Sequence, residues 1–394
     1  MRGWWTPAKD KTIGIEIQVS HSDFSASTAV VIGASGQDGY FLTARLLDED
    51  WNVHAFARRP ETLAPLAKTV GTRRRLQVHS LDLLAPQPLF DLIAQELPTD
   101  VYNLAGQSSV ALSFAEPLLT WRTNAEFVAA LLECVRLQSP RTRLYQASST
   151  EMFGVSADNT LVYNEESALN PQSPYASAKA AAHLLCRSYR KDYNLRIACG
   201  ILSNHESHRR PIWFLSHKVV AHVARLKELS AAQIANSSPL ALGNLKVQRD
   251  WGFAPDYVAG MCKILRQIQV RADRTGESLA DVGPNYRDYL LATGKNHAVW
   301  ELVNRAFRIG GFELEWDLQG EDFSSWRGYF GSTGKPAVVV DPHLFRTADP
   351  SVIQVDPGRA RNELGWVPRG GLEVFLQDMF DNLPRIAAVK GVEL

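Results

Sequence analysis

The stretch Ala29-Val30-Val31-Ile32-Gly33-Ala34-Ser35-Gly36-Gln37-Asp38-Gly39 decides the fold of this chain. Its first four residues are an apolar run, a glycine-rich segment follows, and residues 40–48 have the pattern of a helix. A strand, a glycine-rich turn and a helix in this order bring backbone N–H groups and a helix N-terminus up to a pyrophosphate. Gly33 permits the tight turn, Gly36 lets the backbone approach phosphate, and Gly39 allows close helix–strand packing. The sequence therefore predicts a dinucleotide site here.

Strand-like and helix-like segments alternate from Thr28 to about Leu202. The predicted strands are residues 30–32, 53–57, 76–79, 100–104, 143–147 and 196–201, and the predicted helices are residues 39–48, 88–97, 118–137 and 174–193. This alternation predicts an α/β fold with a Rossmann-type, doubly wound parallel sheet, in which ligands bind at the carboxyl ends of the strands.

After Leu202 the alternation of strand-like and helix-like segments becomes less regular, and this change predicts the domain organisation. We expect an N-terminal extension over 1–27, a cofactor-binding Rossmann domain over 28–202 with a return segment at about 249–266, and a smaller, interleaved C-terminal α/β substrate lobe made of 203–248 and 267–394. Residues 269–288 are polar and aperiodic, which predicts a surface loop.

Composition excludes several classes of partner. Lysine plus arginine and aspartate plus glutamate both number 42, so there is no bulk positive field for nucleic acid or anionic membrane. No apolar run approaches the about 20 residues of a membrane span. Cys134, Cys186, Cys199 and Cys262 are scattered, which predicts buried reduced thiols in a cytoplasmic protein and no metal site.

Arginines at the end of the second predicted strand point to the cofactor. Arg58 and Arg59 stand where an NAD enzyme carries an acidic residue for the adenosine ribose, and an arginine pair there suits the 2′-phosphate of NADP. The alternative, that either arginine is a solvated surface charge, stays open. Asp82 suits a bond to adenine, and residues 103–106 follow the fourth predicted strand. The candidate cofactor-binding residues are Gly33, Ser35, Gly36, Gln37, Asp38, Gly39, Arg58, Arg59, Asp82, Leu83, Leu104, Ala105, Tyr175, Lys179, His205 and Arg210.

A tyrosine and a lysine open a later helix. Ser173-Pro174 is a good helix start, with serine as N-cap and proline at the first helical position. Tyr175 then lies in the first turn, where the helix dipole favours a phenolate, and Lys179 lies one turn further on. We expect the nearby cation and a positive nicotinamide to lower the tyrosine pKa from about 10, which would make a base usable near neutrality.

The segment Ala147-Ser148-Ser149-Thr150-Glu151-Met152-Phe153-Gly154 directly follows a predicted strand. Ser149 provides a hydroxyl to orient a substrate alcohol. Glu151 adds a second acid/base group, which hydride transfer at one carbon does not require but elimination of water next to a new ketone does. The alternative is that Glu151 is an exposed loop acid.

Several long strings resemble those of the GDP-mannose 4,6-dehydratases, within the extended short-chain dehydrogenase superfamily. The resemblance runs from about Ala29 to Pro384 through GASGQDG (33–39), YQASSTEMFG (145–154), SPYASAK (173–179), NHESHRR (204–210), LGNLKVQRDWGFAPDYV (242–258), ATGKNH (292–297) and VDPHLFRTAD (340–349). It implies that Ser149, Glu151, Tyr175 and Lys179 are catalytic. It further implies a substrate set of Ser109, Asn204, Lys218, Arg249, Arg346 and Asp349, use of NADP, and a homodimer or homotetramer.

The chain departs from the family pattern mainly in the substrate lobe. Ser149 replaces the usual threonine, His217 replaces an arginine, Asp349 replaces a glutamate, and Pro211-Ile212-Trp213 replaces a more polar run.

Lys218 and Arg249 are local positive charges in a chain with no net charge, and a diphosphate is the ligand they suit. Arg249 could instead pair structurally with Asp250 or Asp256.

We therefore expect a GDP-sugar 4,6-dehydratase, a hydro-lyase that acts on GDP-mannose or a related sugar. The alternatives are a 4-reductase or 4-epimerase on a related nucleotide sugar, or a non-catalytic NADP-binding regulator. Glu151 argues against the reductase and the epimerase because neither eliminates water, and the intact Tyr175, Lys179 and Glu151 set argues against the regulator.

Overall fold

A computed structural model describes residues 27–66, 75–155, 161–279, 285–319, 323–345 and 352–390, except for the side chains of 384–390. The strands, in chain order, are β1 (Thr28–Ile32), β2 (Asn52–Ala57), β3 (Leu76–Ser80), β4 (Asp100–Asn103), β5 (Arg143–Ser149), β6 (Val162–Tyr163), β7 (Ile197–Leu202), β8 (Asn204–Glu206), β9 (Leu240–Leu242), β10 (Gln248–Phe253), β11 (Tyr289–Leu291), β12 (Asn296–Ala298), β13 (Leu314–Asp317), β14 (Arg327–Phe330), β15 (Pro336–Val340) and β16 (Gln354–Val355).

The α-helices are α1 (Gln37–Asp48), α2 (Gln87–Glu96), α3 (Val110–Ala115), α4 (Pro117–Trp121), α5 (Phe127–Gln138), α6 (Pro174–Asp192), α7 (Leu215–Lys227), α8 (Ala231–Asn236), α9 (Ala254–Leu265), α10 (Gln267–Thr275), α11 (Val299–Ile309), α12 (Gly358–Leu364) and α13 (Leu372–Lys390). A π-turn, Arg122–Glu126, joins α4 to α5, and short 3₁₀ helices cover Pro60–Leu63, Thr150–Phe153, Phe323–Ser325 and Pro342–Leu344.

The main sheet has seven strands in the order β3-β2-β1-β4-β5-β7-β11, and every neighbouring pair is parallel. One face is covered by α2, α5 and α6, whose apolar residues pack against Val30, Ile32 and Val101. On the other face, α1, α9 and α12 pack against Val31 and Ala55. Strands covered on both faces read as continuous apolar runs, as β1 does. The predicted fold class, a doubly wound parallel sheet, is confirmed.

The predicted strands and helices of the first 202 residues match the observed elements closely. Each predicted strand end lies within two residues of the observed one, and the predicted helix over 118–137 is the continuous run α4, π-turn and α5. The predicted loop over 269–288 is wrong in its first part, because Gln267–Thr275 is the helix α10. The end of that loop also leads directly into β11, a sheet strand that the sequence did not reveal.

The second layer of structure is built mainly from chain after β7. A four-stranded sheet, β13-β14-β15-β9, packs with α7, α11 and α13 around a separate core that includes Val220, Phe307, Val338 and Phe375. A three-stranded sheet, β12-β10-β8, links this core to the main sheet. The predicted return segment, 249–266, covers β10 and α9, and α9 packs on α1. The exact domain boundaries stay predictions, as does the extension over 1–27, which apart from Ser27 lies outside the described residues.

In the described part of the chain, we find no helix with both the length and the apolar character that crossing a membrane requires.

Candidate active site

A cleft of about 430 Å³ opens at the carboxyl ends of β1, β4, β5 and β7. Its floor comes from the main sheet, and its opposite wall comes from residues such as Phe214, Gly243 and Val247. Among the residues predicted for the site, those that line the cleft are Gly33, Gly36, Gln37, Asp38, Gly39, Leu104, Ser109, Ser149, Glu151, Tyr175, Lys179, Asn204, His205, Arg210 and Arg249.

The glycine-rich turn has the shape that a dinucleotide requires. Gly33 has φ of +87°, and a Cβ there would lie 2.8 Å from the Ala105 backbone nitrogen. A Cβ on Gly39 would lie 2.2 Å from the Gly33 carbonyl oxygen, so the turn and α1 can only pack this closely without one. Gly36 is the N-cap of α1, and the first turn of that helix faces the cleft. Because an anion fits at such a helix N-terminus, the turn fits a cofactor pyrophosphate.

Asp38 and His205 form an ion pair beside this turn. The His205 ring has Nε2 at 2.9 Å from Asp38 Oδ2 and Nδ1 at 2.7 Å from the Ser203 carbonyl oxygen. Both ring nitrogens face acceptors, which favours the doubly protonated imidazolium. Burial opposes the charge on His205, but attraction to Asp38 and the hydrogen bond to it raise the His205 pKa above its ordinary value. Burial likewise opposes ionisation of Asp38, yet His205 holds the pKa of that carboxyl below its ordinary value.

Gln37 strengthens the same connection. Its side-chain amide donates to the His205 carbonyl oxygen at 2.9 Å, and its Oε1 accepts from the Ser207 hydroxyl at 2.8 Å. The sequence named Gln37, Asp38 and His205 as cofactor-binding candidates but not their contacts with one another. Together they join the start of α1 to β8, which pairs in parallel with β10.

The start of α6 carries the tyrosine and the lysine as the sequence predicted. Ser173 caps the helix by accepting from the Ala176 N–H at 3.1 Å, and Pro174 is the first helical residue. Tyr175 and Lys179 are both buried and line the cleft. Lys179 Nζ donates to the Ala147 carbonyl oxygen at 3.0 Å, and burial lowers the pKa of this lysine to about 8.

The sequence predicted that a nearby cation would help to lower the pKa of Tyr175. This part of the prediction is wrong, because the groups of the chain itself raise that pKa. Burial raises the pKa of Tyr175 to about 12, against a smaller opposing effect from its hydrogen bond with Ser149. The negative charge of Glu151 raises this pKa further. The prediction assumed that Lys179 would act on the phenol, whereas its ammonium group is directed to the Ala147 carbonyl.

Ser149 and Glu151 stand at the end of β5. Ser149 is the last residue of the strand, and its hydroxyl oxygen accepts from the Glu151 N–H at 3.3 Å, which caps the 3₁₀ helix Thr150–Phe153. Glu151 is partly buried, lines the cleft, and is close enough to act electrostatically on Tyr175. The structure thus brings a hydroxyl, a carboxylate and a phenol together within one cleft.

The predicted substrate residues divide into two groups. Ser109, Asn204 and Arg249 line the cleft; Arg249 is 8% exposed, and its Nη1 donates to the Gln248 carbonyl oxygen at 2.8 Å. Lys218 is exposed, donates to the Ala241 carbonyl oxygen at 2.9 Å, and is not among the residues that line the cleft. Arg346 and Asp349 lie outside the described residues.

The alternative reading of Arg249 paired it with Asp250 or Asp256. Asp250 accepts from Ser203 Oγ at 3.0 Å and from the backbone N–H groups of residues 293–295. Asp256 Oδ1 accepts from Arg369 Nε at 2.6 Å. Both carboxylates therefore have partners other than Arg249.

The candidates for the adenosine end lie at the neighbouring strand ends. Arg58 and Arg59 follow β2 and are exposed. Asp82 follows β3, and its Oδ1 accepts from the Leu84 N–H at 2.9 Å. These residues, like Ser35, Leu83 and Ala105, lie outside the lining of the main cleft. Because β2 and β3 are parallel neighbours, their ends lie at the same edge of the sheet.

Some lining residues were not predicted individually. Ser148, Gly243 and Asn244 lie within strings that the sequence analysis quoted, so those strings carried the signal. Phe214 was missed, and the centroid of its ring lies 3.7 Å from the Arg210 guanidinium carbon.

Comparison with known proteins identifies the family. Residues 30–379 match the family model described as GDP-mannose 4,6 dehydratase. A GDP-mannose 4,6-dehydratase of Sinorhizobium fredii (strain HH103) is 35% identical over 346 residues, which cover 86% of this chain and 91% of that protein.

Two solved structures share the fold. One is a dTDP-glucose 4,6-dehydratase of Bacillus anthracis in complex with NAD, with a TM-score of 0.68 and 18% identity over 91% of this chain and 97% of that one. The other is an RMD of Pseudomonas aeruginosa complexed with NADPH, with a TM-score of 0.65 and 22% identity over 91% of this chain and 99% of that one. From the family match over nearly the whole chain, together with a cleft that holds the glycine turn, the tyrosine, the lysine and the carboxylate, we conclude that this chain belongs to the GDP-mannose 4,6-dehydratase family.

Proposed function

We propose that this protein is a GDP-sugar 4,6-dehydratase that converts GDP-mannose to GDP-4-keto-6-deoxymannose. The observation that carries the proposal is the convergence of Ser149, Glu151 and Tyr175 on one cleft, beside a glycine turn shaped for a dinucleotide. An enzyme that only moves hydride at one carbon needs the phenol and the hydroxyl. The added carboxylate suits a reaction that also removes a proton from carbon and expels water.

Each residue has a distinct part in this reaction. Tyr175, hydrogen-bonded to Ser149, takes the proton of the sugar 4-hydroxyl as C4 is oxidised. The new ketone acidifies the C5 proton, and Glu151 removes it and protonates the departing C6 hydroxyl as water. Bound in the cleft, a nicotinamide cofactor would accept hydride from C4 and return it to C6 after water has left. C5 would regain a proton, so the cofactor would be regenerated in every turnover.

The electrostatics of the site define what the cofactor must add. With a pKa raised to about 12, Tyr175 holds its proton at neutral pH under the charges of the chain alone. A positive charge close to the phenol favours the phenolate. The oxidised nicotinamide ring of a bound cofactor would supply such a charge, so Tyr175 would act as a base only when the hydride acceptor is in place.

We propose NADP as the cofactor. Arg58 and Arg59 follow β2, which is the position of the ribose-binding acid in NAD enzymes of this fold. The two solved relatives carry NAD in one case and NADPH in the other, so the arginines are what favour NADP here. Asp82 and Leu83 would lie at the adenine, Ser35 at the phosphates, and Leu104 and Ala105 along the middle of the cofactor.

We propose that Arg249 binds the substrate pyrophosphate, with Asn204 and Ser109 nearer the sugar. Arginine offers a two-pronged set of donors to phosphate oxygens. Lys218, Arg346 and Asp349 complete the proposed nucleotide site by resemblance.

We also propose that the protein is a homodimer or homotetramer in the cytoplasm. Leu118 and Trp121 on α4 are 70% and 46% exposed, and Leu184 on the adjoining α6 is 52% exposed. Together they form an apolar surface of the kind that subunit contacts cover. The four cysteines are free and buried, as expected for a reducing compartment. Light scattering during size-exclusion chromatography would give the mass of the assembly directly. A monomer at micromolar concentration would contradict the proposed dimer or tetramer.

The deciding experiment incubates purified protein with NADP and a panel of GDP-sugars, and follows the loss of one water by mass spectrometry. We expect GDP-mannose to lose water with no net accumulation of NADPH. Stoichiometric NADPH would indicate a dehydrogenase, an isomer of unchanged mass an epimerase, and cofactor binding without turnover a regulator. Each of these results would overturn the proposal.

A further inference from the structure

The helix that carries Tyr175 and Lys179 presents a third polar side chain to the same strand. His183 lies four residues beyond Lys179, so the three residues share one stripe of α6. His183 is 1% exposed, and its Nδ1 lies 3.0 Å from the Ser148 hydroxyl oxygen.

Three successive turns of α6 therefore hold the last three residues of β5. Tyr175 is hydrogen-bonded to Ser149, Lys179 donates to the Ala147 carbonyl oxygen at 3.0 Å, and His183 contacts Ser148. The first two contacts belong to the proposed catalytic machinery. The third contact is one turn deeper and has no part in the chemistry described above.

The other ring nitrogen of His183 faces Asp288. Its Nε2 lies 3.8 Å from Asp288 Oδ2, and Cys199 is a further hydrogen-bonding neighbour. Asp288 is 4% exposed and firmly placed: Arg190 donates to both carboxylate oxygens, at 2.6 and 2.8 Å, and the Cys199 N–H donates to Oδ1 at 2.9 Å. Asp288 lies immediately before β11, so the edge strand of the main sheet anchors this group.

We propose that His183 is a positioning residue, which fixes the end of β5 that bears Ser149 against the helix that bears Tyr175 and Lys179. The inference rests on the proposed dehydratase function. Ser148 and Ser149 are adjacent, so a shift of the Ser148 side chain moves the backbone that places the Ser149 hydroxyl. Misplacement of a reacting group by about 1 Å can cost on the order of 100-fold in rate.

A buried metal ion is the competing reading of this cluster. The ligand atoms of His183, Cys199 and Asp288 all lie within 4.8 Å of one another. However, both oxygens of Asp288 already accept from the Arg190 guanidinium, and Arg187 Nε lies 3.6 Å from Oδ2. Two guanidinium groups oppose a divalent cation at this position, which favours a hydrogen-bonded network.

The kinetic test compares His183→Leu with His183→Asn and Ser148→Ala. His183→Leu should lower kcat by about 10- to 100-fold while the KM for GDP-mannose stays within about threefold. The reason is that the substitution disturbs the alignment of the catalytic groups and not the binding of the substrate. His183→Asn retains a polar group near the Nδ1 position and should recover most of the activity. The double variant of His183→Leu with Ser148→Ala should be no slower than the slower single variant, since the two side chains act as one unit.

Thr142→Val is the matched control. Thr142 is buried near the start of β5, where its hydroxyl donates to the Pro98 carbonyl oxygen at 2.5 Å, far along the strand from the cleft. It should lower the melting temperature without lowering kcat. If Thr142→Val and His183→Leu lower kcat equally, or if His183→Leu retains full kcat, the positioning role is wrong.

Two measurements on the whole protein stand independently of turnover. In nitrogen-labelled protein, the imidazole signal lost in His183→Asn should shift in Ser148→Ala, and an unchanged signal would overturn the contact. Elemental analysis should find no stoichiometric metal, whereas one equivalent of zinc would overturn the network. If the imidazole signal shifts in Ser148→Ala but the wild-type protein dehydrates no GDP-sugar, the proposed function is contradicted and the contact between His183 and Ser148 still stands.

Discussion

Asp38 Oδ2 and His205 Nε2 lie 2.9 Å apart although 167 residues separate them in the chain, and their ion pair fastens the first turn of α1 to β8. A buried, charge-assisted pair of this kind contributes about 1.5–3 kcal/mol. It also fixes the distance between the glycine-rich turn and Asn204, the neighbour of His205.

The pair predicts a specific dependence of stability on pH. The pKa of His205 is raised in the folded protein, so its contribution is full below the unfolded value of about 6.5 and is lost as the pH rises through the folded value. The pKa of Asp38 is lowered, so its contribution is present above its unfolded value and disappears as the pH falls through the folded one. The melting temperatures of wild type and His205→Gln should therefore differ most near pH 6 and converge as the pH rises. A difference that is constant from pH 6 to pH 9 would contradict the ion pair.

Replacing Glu151 should stop dehydration without disturbing the cofactor. Glu151→Gln keeps the size and the hydrogen-bonding capacity of the side chain but removes the base, so kcat should fall by about 100- to 10,000-fold. NADP affinity, measured by fluorescence titration, should stay close to that of wild type. Full conversion of GDP-mannose by this variant would rule out the proposed role.

Tyr175 should titrate differently with and without NADP. Alone, the protein should show no ionisation of Tyr175 until the pH approaches about 12, because burial raises its pKa. Bound NADP should lower that pKa, since its nicotinamide ring is positive. Ultraviolet difference titration of wild type against Tyr175→Phe measures both values. If NADP leaves the titration unchanged, the activation of the base has another source.

Arg249→Ala should weaken binding of GDP-mannose while NADP binding is kept. Loss of a charge-assisted contact to phosphate costs about 1.5–3 kcal/mol, or roughly 10- to 100-fold in affinity. Calorimetric titration with each ligand separates the two sites. Lys227→Ala is the control, because Lys227 is exposed on α7 and lies outside the cleft lining, and it should leave both affinities close to those of wild type. Loss of both ligands together in Arg249→Ala would show that the arginine supports the fold instead.

The two arginines after β2 should set the choice of cofactor. Replacing both Arg58 and Arg59 by serine should lower NADP affinity by at least about tenfold and leave NAD affinity within about threefold, because only NADP carries the 2′-phosphate. The ratio of the two dissociation constants is the measurement. An unchanged ratio would show that Arg58 and Arg59 are solvated surface charges.

Sequence reasoning was most successful where structure is local. The apolar run of β1, the capped start of α6 and the turn at Gly33 each depend on neighbours within a few residues, and all were predicted. Helix α10 was missed because it is short and largely polar. β11 was missed because a three-residue buried strand has too little pattern to separate it from loop.

Long-range pairing limited the prediction of the site. The Asp38–His205 pair and the contact of Lys179 with Ala147 depend on how β5, β8 and the helices meet, which no local pattern encodes. The effect of the chain's own groups on the tyrosine pKa was predicted in the wrong direction for the same reason, because burial and the direction of the lysine side chain are tertiary properties. Arg346 and Asp349 stay predictions.

The three residues of β8 constrain how this enzyme can diverge. Asn204 lines the cleft, His205 is paired with Asp38 of α1, and Glu206 accepts from the Ser216 hydroxyl at 2.6 Å, so each residue of the strand contacts a different neighbour. A single inserted or deleted residue would put all three out of register at once. New sugar specificity should therefore arise in evolution by substitution in the segment that follows, at Pro211 and Phe214, which line the cleft, while the length of β8 stays fixed.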